Sequence, residues 1–220
     1  CIRDRTFFLE IGVFSVIGLL IATMGNNAMG AHQIAYNVWD VVYMPLISVG
    51  SAMATRVGHA IGAGDEPQVM LAVKTGTLLT ILVGVACTIP LLAIPELIIS
   101  AYTREDAIQV IAVSLIRLAA LFIIIDSVQV AAAYCLRAFK DTRFPFVVMC
   151  LSYWLLALPL AYWLGIRLAD DPVEGTTAIW ISMITGICVS AVLISWRLYQ
   201  KMRLPGWITR VAREAQASPN

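Results

Sequence analysis

Residues 118–136 are the segment that most constrains the fold, because this long and largely apolar run carries a single charge close to its middle. As a helix the segment would cross about 28 Å, close to the thickness of the hydrocarbon core of a bilayer. The charge is Asp126, and Gln129 follows it one turn later on the same face. Because an isolated carboxylate is costly in hydrocarbon, we expect Asp126 to face a partner, a cavity or an ion.

The sequence is compatible with two roles for Asp126, one structural and one functional. An ion pair with a basic residue of a neighbouring helix would make the acid purely structural. Almost every Lys and Arg lies outside the apolar segments, however, which favours a functional role over that pairing.

The whole chain is predicted to be an all-α membrane protein, a bundle of six transmembrane helices. Each charge-poor segment is long enough for a spanning helix, whereas a spanning β-strand would need only about ten alternating residues. The predicted helices are residues 6–24, 31–57, 70–95, 107–137, 144–167 and 175–199. Residues 1–200 are therefore expected to form one transmembrane unit.

Composition excludes several classes of function. The chain is 60% hydrophobic and 13% charged, while a soluble domain has about a quarter of its residues charged. A soluble enzyme, a nucleic-acid binder and a disordered chain do not fit this balance, and a net charge of +1 suggests no polyanionic partner. No HExxH, GxSxG or comparable motif is present, so the chain is not expected to be an enzyme or to need a cofactor.

Charge in the connecting links predicts an orientation. Lys and Arg concentrate in the links 56–74 and 137–143 and after residue 196, whereas the links 96–117 and 167–174 are rich in acids. The positive-inside rule places the basic side, and with it both ends of the chain, in the cytoplasm. The chain begins with Cys1 rather than Met, and we expect it to be a piece of a longer chain.

Residues 201–220 are predicted to be a cytoplasmic amphipathic tail. Four apolar side chains would share one face of a short helix there: Leu204, Trp207, Ile208 and Val211. A helix of this kind lies on a membrane surface with its apolar face against the acyl chains.

Three acids fall inside predicted spans, namely Glu10, Asp40 and Asp126. A carboxyl group in such a place can hold a proton, or release it and bind Na⁺, and it switches when access changes from one side of the membrane to the other. This chemistry is typical of an ion-coupled carrier. It says little about the cargo.

Aromatic residues surround Asp40 on the second predicted helix. The candidate residues of a substrate cavity are Tyr36, Asn37, Trp39 and Tyr43. Aromatic faces with a nearby carboxylate suit hydrophobic cations, although ordinary packing and lipid contact explain any single ring equally well. His32 and His59, at the two ends of this helix, are interpreted either as proton relays or as hydrogen-bonding caps.

Two stretches carry a resemblance to a known family. AHQIAYNVWDVVYMPLISVGSAMATRVGHAIGAGD at 31–65 and DSVQVAAAYCLRAFKDTRFP at 126–145 resemble the second half of the multidrug and toxic compound extrusion (MATE) transporters. The similarity is closer to the bacterial NorM-like branch of that family, and it runs from about residue 8 to residue 199.

The resemblance implies the C-terminal six-helix lobe of a twelve-helix transporter of the cytoplasmic membrane. Such proteins exchange Na⁺ or H⁺ for organic cations and other drugs by alternating access, and the partner of this lobe would be a missing N-terminal lobe. The family pattern places the coupling cation, with Na⁺ as a candidate, at Glu10 and Asp126. Gln129 and Asp40 are expected to assist.

The sequence departs from the family pattern at two positions near these acids. Phe122 stands where NorM-like members often have a tyrosine, which removes a hydroxyl one turn before Asp126. Asn37 stands where some members carry an acid, and Asp40, one turn further along, is a candidate substitute. These departures leave the choice between Na⁺ and H⁺ open.

Two other functions compatible with the fold are a lipid or polysaccharide flippase of the same superfamily and a non-transporting structural membrane subunit. A flippase would need a large basic cavity, and the scarcity of basic residues inside the spans argues against it. A structural subunit would retain its activity after loss of all three acids.

Overall fold

The computed structural model describes the backbone of residues 2–203 and the side chains of residues 12–203. Within that part the chain is helical and contains no strand, which confirms the predicted all-α fold. The helices are α1 (Ile2–Ala22), α2 (Asn26–Gly62), α3 (Glu66–Ala93), α4 (Pro95–Ser100), α5 (Asp106–Ala138), α6 (Arg143–Leu168) and α7 (Pro172–Arg203). The predicted tail beyond Arg203 lies outside the described residues.

Five of these helices, α2, α3, α5, α6 and α7, are long and apolar enough to cross a membrane. In α1 the stretch with described side chains, Gly12–Ala22, is also apolar but shorter. These helices make the chain an integral, multi-pass membrane protein. The short α4, which follows directly after α3, is an element that the apolar pattern did not predict.

The turn between α2 and α3 follows from its sequence. Gly64 has φ 70°, a left-handed conformation that glycine adopts without strain. The carboxylate of Asp65 then caps α3 by accepting a hydrogen bond from the backbone N–H of Gln68 at 3.0 Å. Pro67 stands in the first turn of α3, where its missing N–H costs nothing.

Helix α5 lies at the centre of the bundle, packed against α2, α3, α4 and α7. Small residues bring its neighbours close: a Cβ added to Gly84 of α3 would lie only 2.9 Å from the Cβ of Ser127. Across the same interface the hydroxyl of Thr88 donates to the carbonyl of Ala120 at 3.2 Å. This combination of small residues and interhelical hydrogen bonds is how membrane helices associate without a hydrophobic driving force.

Helix α6 contains two π-helical stretches, Cys150–Ala157 and Trp163–Leu168, on either side of Pro159. The wider turn gives the N–H of Leu158 a bond to the carbonyl of Tyr153. Local π-helical geometry of this kind re-satisfies backbone groups near a proline in a spanning helix.

At the basic end of the bundle, Asp141 joins the α5–α6 link to α7. Its carboxylate accepts from the Nε of Arg197 and from the Nζ of Lys201, each at 3.1 Å. Arg197 also lies over the ring of Phe144, 5.1 Å from its centroid. The end of α7 is thereby fixed against the start of α6.

Glycine at position 186 is required by the close approach of α6 and α7. A Cβ at Gly186 would lie 2.9 Å from both the carbonyl oxygen of Ser152 and the Cβ of Ala157. We therefore expect Gly186→Ala to lower the unfolding free energy by roughly 1–3 kcal/mol, because backbone must move to make room. Thermal unfolding of the purified chain in detergent measures this effect.

Gly58→Ala is the matched control, because a Cβ there meets nothing within 4 Å. It should leave the melting temperature unchanged or raise it slightly, since alanine favours a helix over glycine. Equal losses in both variants would contradict the account of α6–α7 packing.

Candidate functional site

Asp126 lies inside the bundle rather than toward lipid, with only 4% of its surface exposed. The residues one turn before and after it on α5, Phe122 and Gln129, are buried as well. The carboxyl group is therefore surrounded by protein, and its role in binding a cation stays a prediction. One buried face of α5 therefore presents, in order, the ring of Phe122, the carboxyl group of Asp126 and the amide of Gln129.

Gln129 connects three helices one turn from Asp126. Its side-chain Nε2 donates to the hydroxyl of Tyr153 in α6 at 3.2 Å, and its Oε1 accepts from the hydroxyl of Ser190 in α7 at 2.5 Å. All these polar groups lie in apolar surroundings, where satisfied networks fix side-chain orientation. The network holds the amide of Gln129 in one orientation beside the acid.

On the other side of Asp126, an aromatic cluster surrounds Trp39. The Trp39 ring stacks on Tyr43 with centroids 4.8 Å apart, and Phe14 and Tyr36 lie 5.1 and 5.7 Å away. Phe122 meets Trp39 edge-on at 5.5 Å. Aromatic pairs prefer such offset and edge arrangements. The cluster thus reaches α5 one turn before Asp126.

The structure separates the predicted substrate-cavity residues into two groups. Trp39 is buried by its packing, and Asn37 is exposed and accepts a hydrogen bond from the hydroxyl of Tyr102 at 3.0 Å. Tyr36 and Tyr43 are half-buried. The two tyrosines are therefore the members of this set that combine aromatic surface with access.

The other two predicted acids, Asp40 and Glu10, belong to α2 and α1. Asp40 is half-buried on α2, and no hydrogen bond or ion pair of the described residues joins it to Asp126. Glu10 belongs to α1, but its side chain lies outside the described residues, so its pairing with Asp126 stays a prediction. Within the described part, no three His, Cys, Asp or Glu side chains are grouped to hold a metal ion.

His32 neither caps a helix end nor stands alone. Its Nδ1 accepts a hydrogen bond from the indole Nε1–H of Trp180 at 3.3 Å, and the two rings meet edge-on. The bond ties α2 to α7 at the end of the bundle opposite Asp141. Sequence reasoning missed this pairing, and it missed Tyr153 and Ser190; their polar atoms inside apolar segments were the available signal.

Comparison with known proteins gives concordant matches. The MatE family model matches residues 5–163. The chain is 37% identical to the "Probable multidrug resistance protein NorM" of Idiomarina loihiensis, over 91% of this chain and 43% of that relative. It is 36% identical to the "Multidrug resistance protein NorM" of Vibrio cholerae, over 87% of this chain and 42% of that relative. It spans less than half the length of these curated relatives.

Solved structures share the fold. The "MATE transporter ClbM in complex with Rb+" superposes with a TM-score of 0.82 at 20% identity, over 97% of this chain and 48% of that one. The "eukaryotic MATE transporter AtDTX14" gives 0.77 at 24% identity, over 92% and 44%. The matched proteins are transporters rather than enzymes, which agrees with the prediction from the sequence.

The bond between Ser190 and Gln129 generates a stability prediction. Ser190→Ala leaves the buried amide of Gln129 without one of its partners, and we expect a loss of about 1–3 kcal/mol in unfolding free energy. Ser182→Ala is the control on the same helix, because the equally buried hydroxyl of Ser182 donates only to Ala178 of α7. Thermal unfolding should rank the Ser190 variant clearly below the Ser182 variant; an equal ranking would contradict the network.

Proposed function

This chain belongs to the MatE family, and on that basis we propose that it acts as the C-terminal lobe of a multidrug efflux transporter. The transporter would export organic cations in exchange for Na⁺ or H⁺ by alternating access. The N-terminal six-helix lobe of the same protein would supply the other wall of the substrate cleft. Binding energy for the cation is the means by which such a carrier changes the equilibrium between its two states.

The observation that carries the proposal is the burial of Asp126 in the middle of a spanning helix. A carboxyl group there is stable when it binds a proton or a cation, and it becomes costly when that ion leaves. Release of the ion on one side of the membrane therefore favours either a change of state or the binding of a cationic substrate. That competition is the physical basis of antiport.

The neighbours of Asp126 have separate roles in this proposal. Glu10 is proposed as the second acid, and Asp40 as an accessory acid on α2. Gln129 would contribute its Oε1, which keeps a second lone pair while it accepts from Ser190. Because Ser190 and Tyr153 fix the amide, Gln129 could present that lone pair without first losing side-chain freedom.

Substrate contact is proposed at the aromatic cluster. Tyr36 and Tyr43 offer partly accessible ring faces, and a cation over such a face is attracted by the ring quadrupole. Trp39 would act from behind them, since its ring is buried among theirs. Phe122 connects this surface to the turn of α5 that carries Asp126.

We place the transporter in the bacterial inner membrane with the C-terminal end of the chain in the cytoplasm. The two ends of the bundle differ in the sign of their charge. Basic residues lie at one end, namely Lys140, Arg143, Arg197 and Lys201, and acidic residues lie at the other, namely Glu105, Asp106, Asp170, Asp171 and Glu174. The basic end faces the cytoplasm by the positive-inside rule.

The buried polar residues argue against a flippase. Those described are His, Thr, Asp, Ser and Gln, and none is a Lys or Arg. A lipid phosphate or an acidic polysaccharide would need basic partners inside the cavity. The described interior therefore suits a cationic cargo better than an anionic one.

Transport by the two-lobed protein in proteoliposomes tests the proposal. Uptake of ethidium, a fluorescent organic cation, should be driven by an imposed Na⁺ gradient or by a pH gradient, and the effective gradient names the ion. Asp126→Asn should reduce uptake to the level of protein-free liposomes, because the neutral amide cannot exchange charge with the substrate.

Asp106→Asn is the matched control, since it makes the same change at an exposed position of the same helix. It should transport as the unmodified protein does. Gradient-driven uptake that survives in Asp126→Asn would refute the role of this acid, and a lack of response to either gradient in the unmodified protein would refute coupled antiport.

A further inference from the structure

A cavity of about 300 Å³ lies between α1 and α2, near the end of the bundle where α2 begins. Its volume is at the lower end of the roughly 300–1,000 Å³ that small-molecule sites occupy. The lining residues on which the argument rests are Phe14, Gly18, Met29, His32 and Tyr36. None of the described residues that line it is an Asp or a Glu.

The hydrogen bond from Trp180 determines which nitrogen of His32 carries the proton. An indole N–H can only donate, so Nδ1 of His32, 3.3 Å from it, must be the acceptor. A neutral imidazole whose Nδ1 accepts has its proton on Nε2. Both rings are buried, at 4% and 3% exposure, which protects this arrangement from water.

The Nε2–H of His32 is directed toward the cavity. A Cβ built on Gly18 of α1 would lie 3.9 Å from Nε2, and both residues line the cavity. No described residue accepts a hydrogen bond from Nε2. The cavity therefore contains a donor of fixed orientation, the Nε2–H of His32, to which a bound molecule could present an acceptor.

The other lining residues combine aromatic rings and aliphatic side chains with two polar side chains, Ser15 and Gln33. The rings of Phe14 and Tyr36 lie 5.3 Å apart, and the Tyr36 ring is 6.1 Å from that of His32. The thioether of Met29 also lines the cavity and can adapt to different shapes. Flat aromatic molecules are the ligands that such walls accommodate best, by offset or edge contacts.

We propose that this cavity binds a planar aromatic group that carries a hydrogen-bond acceptor, such as a ring carbonyl, with His32 Nε2–H donating to that acceptor. The inference deepens the proposed function, on which it rests for its role in transport, by naming a substrate class. The aromatic part of a drug binds here, while its charge is left to the acids elsewhere. Phe14 lies 5.1 Å from Trp39, so the cavity and the aromatic cluster near Asp126 share one wall.

Binding can be measured on the chain itself, without any ion gradient. The probe is tritiated acridone, a planar tricyclic ring with one carbonyl, bound to the purified chain in lipid nanodiscs and read by scintillation proximity. Excess unlabelled acridone separates saturable binding from partition into lipid. Anthracene, which has the same shape without the carbonyl, should compete about tenfold more weakly, because the donor of His32 is then left unsatisfied.

Variants at Gly18 test the location of the site. Gly18→Leu places its side chain in the cavity and should abolish saturable acridone binding. Gly58→Leu is the matched control, because Gly58 lies at the far end of α2 with nothing within 4 Å of an added Cβ. Circular dichroism of both variants verifies that they are folded.

Variants at His32 test the donor. His32→Phe should weaken acridone about tenfold and leave anthracene unchanged, whereas His32→Gln, which keeps an N–H, should recover part of the acridone affinity. Absence of saturable binding, equal affinity for acridone and anthracene in the unmodified chain, or undiminished binding to folded Gly18→Leu would overturn the proposal.

The acridone-binding test and the transport test can fail independently of each other. Saturable acridone binding without gradient-driven transport would support the cavity and refute the antiport. Gradient-driven ethidium transport without acridone binding would refute the cavity alone.

Discussion

A carboxyl group inside the hydrocarbon core is stable only where protein surrounds it, and Asp126 imposes that condition on this bundle. Helix α5 meets it by lying between α2, α3 and α7, so that the face of α5 that carries Phe122, Asp126 and Gln129 is buried. The close approach requires small residues opposite it, such as Gly84 against Ser127. The position of one acid thus accounts for the central place of α5 among its neighbours.

The polar and aromatic side chains near Asp126 form two layers along α5. On one side, Gln129 joins α5 to α6 and α7 through hydrogen bonds that leave the amide in a single orientation. On the other, Phe122 joins α5 to the rings of α2 and α1. One layer suits the recognition of an ion and the other suits an aromatic cation. Asp126 lies between the two layers, about one helical turn from each, which would let each ligand change the affinity for the other.

Much of the fold could be predicted because hydrophobicity dominates it. Long apolar segments allow few structures in a bilayer, and a lone acid in one of them has to face inward, as Asp126 does. The partners of Gln129 could not be predicted, because Ser190 is 61 residues away and only packing of three helices brings it near. The short helix α4 and the π-helical turns of α6 depend on local backbone contacts that apolar periodicity does not encode. The pairing of Glu10 with Asp126 stays a prediction.

In the proposed antiport, the Asp126 carboxyl group itself exchanges the coupling cation. Infrared difference spectroscopy of the two-lobed protein, with Na⁺ added or pH raised in separate experiments, observes that group directly. If H⁺ is the coupling ion, raising the pH should convert a protonated-carboxyl band into a carboxylate band. If Na⁺ is the coupling ion, adding Na⁺ should shift a carboxylate band. In either case we expect the signal to vanish in Asp126→Asn. An unchanged difference spectrum in Asp126→Asn would assign the ion to other groups and contradict the account.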